Sequence, residues 1–180
     1  MSSADHTMSR RSALRALALA SALPLVLGGC LRPMYGTASD ASTVSADLSG
    51  IIVDELPDRL GHYLVQEMRF ALDGSGAEGK TPRYRLSMTA TETVQSAIVN
   101  TSTGRATAAT VHVRVLYTLK SLPDEKSIHE GTAIMTASYD RGPQRFASVR
   151  AARDAEIRVA KTLADQIRTR LAAYFATRRG

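Results

Sequence analysis

Tyr84-Arg85-Leu86-Ser87-Met88-Thr89-Ala90, and further on Val111-His112-Val113-Arg114-Val115-Leu116-Tyr117-Thr118-Leu119-Lys120, alternate apolar and polar side chains with a period of two. That period belongs to a β-strand, whose successive side chains point to opposite faces. One face of each segment therefore seeks a core, and the other meets water or a partner. In the first segment Tyr84, Leu86, Met88, Ala90, Val94 and Ile98 share the apolar parity, against Arg83, Arg85, Ser87, Thr89, Thr91 and Gln95. In the second, Ala109, Val111, Val113, Val115, Tyr117 and Leu119 stand against Thr110, His112, Arg114, Thr118 and Lys120. Asn100-Thr101-Ser102-Thr103-Gly104 lies between them and supplies a turn, so the two segments make a long hairpin. A turn centred on Ser102 and Thr103 sets Arg85 directly opposite Lys120, a like-charge pair. One centred on Thr103 and Gly104 makes them diagonal neighbours.

Beyond the hairpin, Leu122-Pro123-Asp124-Glu125 forms a second turn, and residues 127–139 a further strand. Its alternation is mixed: Ile128 and Ile134 hold one parity, Ala133, Met135, Ala137 and Tyr139 the other, and Gly131 marks a bulge between them. Upstream, the β-branched run Ile51-Ile52-Val53 gives a first strand stopped by Pro57, and Asp58 caps the helix that follows. Leu60, Leu64, Met68 and Leu72, with Tyr63 beside them, give that helix one core face. Gly142-Pro143 breaks the chain before a terminal helix over residues 144–176, with a stripe of Phe146, Val149, Ile157, Ala160, Leu163, Ala164, Ile167, Leu171 and Tyr174. At about 1.5 Å per residue that helix reaches roughly 50 Å. The strand over residues 84–98 reaches about the same at 3.3 Å per residue. The expected domain, residues 47–177, is an elongated α+β two-layer sandwich. It has a four-stranded mixed sheet with two helices on one face, in the order βαβββα.

The N-terminus reads differently. Arg10, Arg11 and Arg15 precede an apolar stretch over residues 16–27, too short to span a bilayer as a helix but suited to a signal-peptide core. Leu27-Gly28-Gly29-Cys30 follows, and Cys30 is the only cysteine. A branched apolar residue, two small ones and a cysteine form the processing site of a bacterial lipoprotein. Residues 1–29 are therefore expected to be a signal peptide, and Cys30 a lipidated new N-terminus. Ser9-Arg10-Arg11 also fits a twin-arginine export signal, and Met8 is an alternative start. Each buried methylene of an acyl chain is worth about 0.8 kcal/mol, so two or three chains hold a protein on a membrane without a spanning helix. Residues 30–46, rich in Ser, Ala, Thr and Gly, read as a tether.

The 180-residue chain carries a net charge of +6, concentrated at its end: nine basic and three acidic residues from Gln144 onward. On an exported protein that balance favours an anionic lipid surface over nucleic acid, and it equally fits a solvated helix face. An enzyme is not supported. His62, His112 and His129 share no metal-ligand spacing, Asp54 and Glu55 are adjacent on a strand and point to opposite faces, and no nucleophile elbow or phosphate-binding glycine loop is present. Neither a metal nor a cofactor is expected beyond the lipid on Cys30. Arg83, Arg85, Arg114 and Lys120 project by parity from the outer face of the hairpin among threonine and serine donors, a set suited to lipid phosphates. Solubilising charges on an open sheet face would look the same.

A lipobox cysteine followed by Arg32-Pro33-Met34-Tyr35-Gly36, the βαβββα order, the Tyr84-Arg85-Leu86 strand start, Ser138-Tyr139-Asp140 at the last strand and an Ala/Arg-rich terminal helix together resemble the LptE family of lipopolysaccharide-assembly outer-membrane lipoproteins, in its alphaproteobacterial form. The resemblance implies a non-enzymatic protein, lipid-anchored at the periplasmic face of the outer membrane, that plugs the β-barrel of a partner, LptD. There it assists the barrel's assembly and the delivery of lipopolysaccharide to the outer leaflet. It also implies lipopolysaccharide contact by basic residues, for which Arg83, Arg85, Arg114 and Lys120 are the candidates, with Arg105 at the accessible hairpin tip. The alternative function is an accessory lipoprotein of an ABC-type lipid transport system.

Overall fold

In chain order the elements are helix α1 (Ala38–Leu48), strand β1 (Ile51–Val53), helix α2 (Asp58–Asp73), strands β2 (Tyr84–Asn100), β3 (Arg105–Ser121) and β4 (Lys126–Asp140), and helix α3 (Arg145–Thr177). The computed structural model describes residues 38–73, 81–100 and 104–178, without the side chains of residues 38–42, 97–100 and 105. Residues 1–29, expected to be a signal peptide, Cys30 and the Arg32 to Gly36 run lie outside the described residues.

The strands form one open mixed sheet in the order β1-β2-β3-β4. β1 runs parallel to β2, with Ile51 opposite Tyr84 and Val53 opposite Leu86, and the other pairs are antiparallel. In the hairpin Asn100 faces Arg105, and Arg85 faces Lys120 directly, the first of the two registers considered. Along β3 the period-two reading holds residue by residue. Ala109, Val111, Val113, Val115, Tyr117 and Leu119 are all buried beneath the helices. α2 adds Leu60, Leu64, Val65, Met68 and Leu72, and α3 adds Val159, Leu163, Ile167, Leu171 and Phe175. Both helices lie on one face, giving the expected two-layer sandwich.

Three details depart from the sequence reading. The stretch read as a tether carries α1, whose Val44 and Leu48 reach the core four residues apart and whose buried Asp47 pairs with Arg83 at 2.7 Å. A helix so poor in apolar residues is held by partners distant in sequence, which local pattern cannot reveal. In β4 the irregularity falls at Ile128, where the partners step from Leu119–His129 to Lys120–Ser127. Gly131 is instead regularly paired opposite Tyr117, and a Cβ there would meet the Tyr117 ring, with Cε1 2.9 Å away. It is glycine to make room for a buried aromatic. On α3 the stripe runs true from Ala160 to Leu171, but Phe146 is 87% exposed, Val149 and Ile157 are also exposed, and Phe175 is buried where Tyr174 was expected.

Candidate functional site

The outer face of the sheet has no helix over it among the described residues. Register places its side chains in rows across β2, β3 and β4: Gln95–Thr110–Ser138, Thr93–His112–Thr136, Thr91–Arg114–Ile134, Thr89–Leu116–Thr132 and Ser87–Thr118–Glu130. Nine of these fifteen side chains are threonine or serine hydroxyls, and Thr110 and Ser138 bond one another at 2.9 Å. Leu116 and Ile134, diagonal neighbours at the centre, are each 53% exposed. Water-facing sheets usually carry more charge than this, so the face suits a neutral, hydroxyl-bearing or apolar surface better than a strongly anionic one. Leu116 belongs to the parity already read as polar; counting every even position from Thr110 to Lys120 reveals it.

The five basic candidates do not gather into one patch. Arg83 turns toward α1, bonding Asp47 and donating to the Ala46 carbonyl at 3.0 Å, so it serves the fold. Arg85 stands over Lys120, and the repulsion is offset by Glu125 at 3.4 Å and Asp54 at 4.0 Å. Asp54 also accepts from Ser87 Oγ at 2.6 Å on this face. Glu55 bonds Arg69 of α2 at 2.6 Å, so the adjacent carboxylates do point opposite ways. Arg114 is exposed and forms no ion pair among the described residues. It lies six residues from Lys120, about 20 Å along the strand. The side chain of Arg105 is outside those described.

On the helix side Arg59 grips Glu156 with two bonds, Nε to Oε2 at 2.8 Å and Nη2 to Oε1 at 2.5 Å. The Glu156 side chain is only 6% exposed, and hydrogen bonding to it holds the Arg59 guanidinium above its already high pKa. Glu92 of β2 lies close by. Partial burial first, and then the negative charge of Glu156, raise its carboxyl above the usual range. Nothing in the local sequence announces this cluster, because its members come from three elements. At the end of the sheet near the second turn, His129 stacks on Tyr174 with centroids 4.8 Å apart, over a shallow groove floored by Tyr117 and Gly131. No group of three or more His, Cys, Asp or Glu among the described residues could hold a metal.

The comparisons with known proteins agree with this architecture. The family model for LptE, lipopolysaccharide-assembly, matches residues 42–171. The chain belongs to the LptE family. Its fold is that of a lipoprotein from Caulobacter crescentus CB15, at a TM-score of 0.62 and 23% identity over 75% of this chain and 97% of the other. A minor lipoprotein from Acinetobacter baumannii matches at a TM-score of 0.53 and 16% identity, covering 69% of this chain and 89% of that one. No curated protein matches the sequence significantly. For this LptE domain the family fixes a role in lipopolysaccharide assembly as an envelope lipoprotein. The match begins within α1, in agreement with a helix that packs on the core.

Proposed function

We propose that this LptE domain is lipid-anchored through Cys30 at the periplasmic face of the outer membrane and partners an LptD-like β-barrel as its plug. In that place it assists the barrel's assembly and the passage of lipopolysaccharide to the outer leaflet, without catalysing a reaction and without a metal or cofactor. The family match over residues 42–171 carries the reading. The outer sheet face supports it, since a threonine-rich surface with Leu116 and Ile134 at its centre complements the polar inner wall of a barrel. Lipopolysaccharide contact falls to Arg114 and Lys120 first. Arg85 has acidic partners to release, Arg83 is committed to Asp47, and Arg105 follows from its place at the hairpin tip.

Purification of the lipidated protein from detergent-extracted membranes tests this. A large β-barrel protein is expected in stoichiometric amount, and Cys30→Ala should abolish incorporation of labelled fatty acid. Recovery of the chain alone, with normal barrel levels after its depletion, would overturn the proposal.

A further inference from the structure

The two edges of the sheet are treated differently. At the β4 edge, α3 covers outward main-chain carbonyls: Arg158 Nη2 donates to Ser138 O at 3.3 Å, and Arg170 Nη1 donates to Thr132 O. The spacings match, since twelve residues of helix rise about 18 Å and six of strand about 20 Å. An open strand edge is a template for another strand, and cations set along it close it.

Among the described residues the β2 edge has no such guard. β1 covers only its first residues, through Tyr84 N donating to Gly50 O at 3.1 Å and Asp54 N donating to Leu86 O at 3.0 Å. Even-numbered residues thus turn their main chain to this side, and the register with β3 is unbroken to Ser96. Ala90, Glu92, Val94 and Ser96 therefore present N–H and C=O groups to an edge that no strand covers among the described residues. Residues 86–100 contain no proline, lysine or arginine. Their one charge, Glu92, makes no ion pair among the described residues. Arg59, whose charge acts on it, is held by both oxygens of Glu156. Partial burial, and then the Glu156 charge, raise its pKa, and the Arg59 charge offsets this only in part.

We propose that the free edge of β2 takes up an extended segment of the barrel partner, with a lysine or arginine facing Glu92 and apolar residues two places to either side, against Ala90 and Val94. Main-chain bonds would give such a complex its affinity and the alternate side chains its register. A second copy of this chain fits poorly. Its β2 offers no cation between residues 86 and 100, and on its β4 edge the Ser138 and Thr132 carbonyls are already taken by Arg158 and Arg170. The inference rests on the proposed barrel partnership, and the test separates the two.

Ala90→Pro removes one outward N–H while leaving the bonds to β3, and Glu92→Arg reverses the charge. Thr136→Pro makes the same backbone change on the β4 edge. Co-purification of the barrel from membranes should fall at least tenfold for the first two variants and stay at the wild-type level for the third. In the wild-type complex the amides of Ala90, Glu92, Val94 and Ser96 should exchange at least tenfold more slowly than in the separated protein. Wild-type recovery of the barrel by a folded Glu92→Arg, with Ala90→Pro equally competent or unfolded, would overturn the proposal. Should wild type recover no barrel, the partnership fails, and the same amides in membrane-extracted protein decide. Slow exchange only while another membrane protein is bound supports an edge partner. Fast exchange, or slow exchange in an isolated monomer or dimer of this chain, overturns it.

Discussion

At the scale of single residues, the strongest constraints are on side chains that sequence periodicity treats as ordinary. Gly131 faces the Tyr117 ring so closely that one methyl group must displace it. Gly131→Ala should cost about 2 kcal/mol in urea unfolding, and Tyr117→Leu in the same chain should recover part of that loss by removing the ring. The Arg59–Glu156 pair is asymmetric. Loss of Arg59 strands a buried carboxylate, whereas loss of Glu156 leaves an arginine that is 60% exposed and can turn to water. Arg59→Ala is expected to cost about 3 kcal/mol and Glu156→Ala about 1 kcal/mol, read from the same unfolding curves. Glu92 acts in the opposite sense. Because its pKa is raised in the folded state, the fold binds this proton more tightly than the unfolded chain does, and that contribution to stability is lost as pH rises through the folded pKa. Glu92→Gln should therefore raise the melting temperature at pH 7, with the gain vanishing below the ordinary carboxylate range. An equal gain at both pH values would remove the charge explanation.

At the scale of elements, α1 shows how a weak helix is recruited. Of its described side chains Val44 and Leu48 reach the core, and Arg83, thirty-six residues beyond Asp47, fastens it through a carboxylate and a carbonyl. Arg83→Ala should raise amide exchange over residues 44–49 at least about tenfold while leaving β2 and β3 protected, because local opening draws on the few contacts an element has. Equal exchange would assign the docking to Val44 and Leu48 alone. α3 teaches the converse. Its apolar stripe continues into Phe146 and Val149, but those turns find no burial, since a helical pattern states which face is apolar and not how much of it the domain covers.

For the molecule as a whole, the placement of charge separates residues that hold the fold from those free to meet a ligand. Arg114→Glu with Lys120→Glu should weaken binding to lipopolysaccharide at least about fivefold at low ionic strength, with a smaller difference at high salt. Arg83→Ala should weaken it little; an equal effect of the two changes would remove the distinction. The strand faces of β2 and β3, the core face of α2 and the element order from β1 to α3 were legible in the sequence alone, because a period of two or 3.6 is a local property that burial then reads directly, while the family was legible as a resemblance carried by short motifs such as Arg32 to Gly36. It took the tertiary structure to decide the register of the hairpin, the partners of Arg83 and Arg85, the shared site of Arg59, Glu92 and Glu156, and the difference between the two sheet edges. Each of these depends on which distant residues are brought within a few ångströms, and no local pattern encodes that distance.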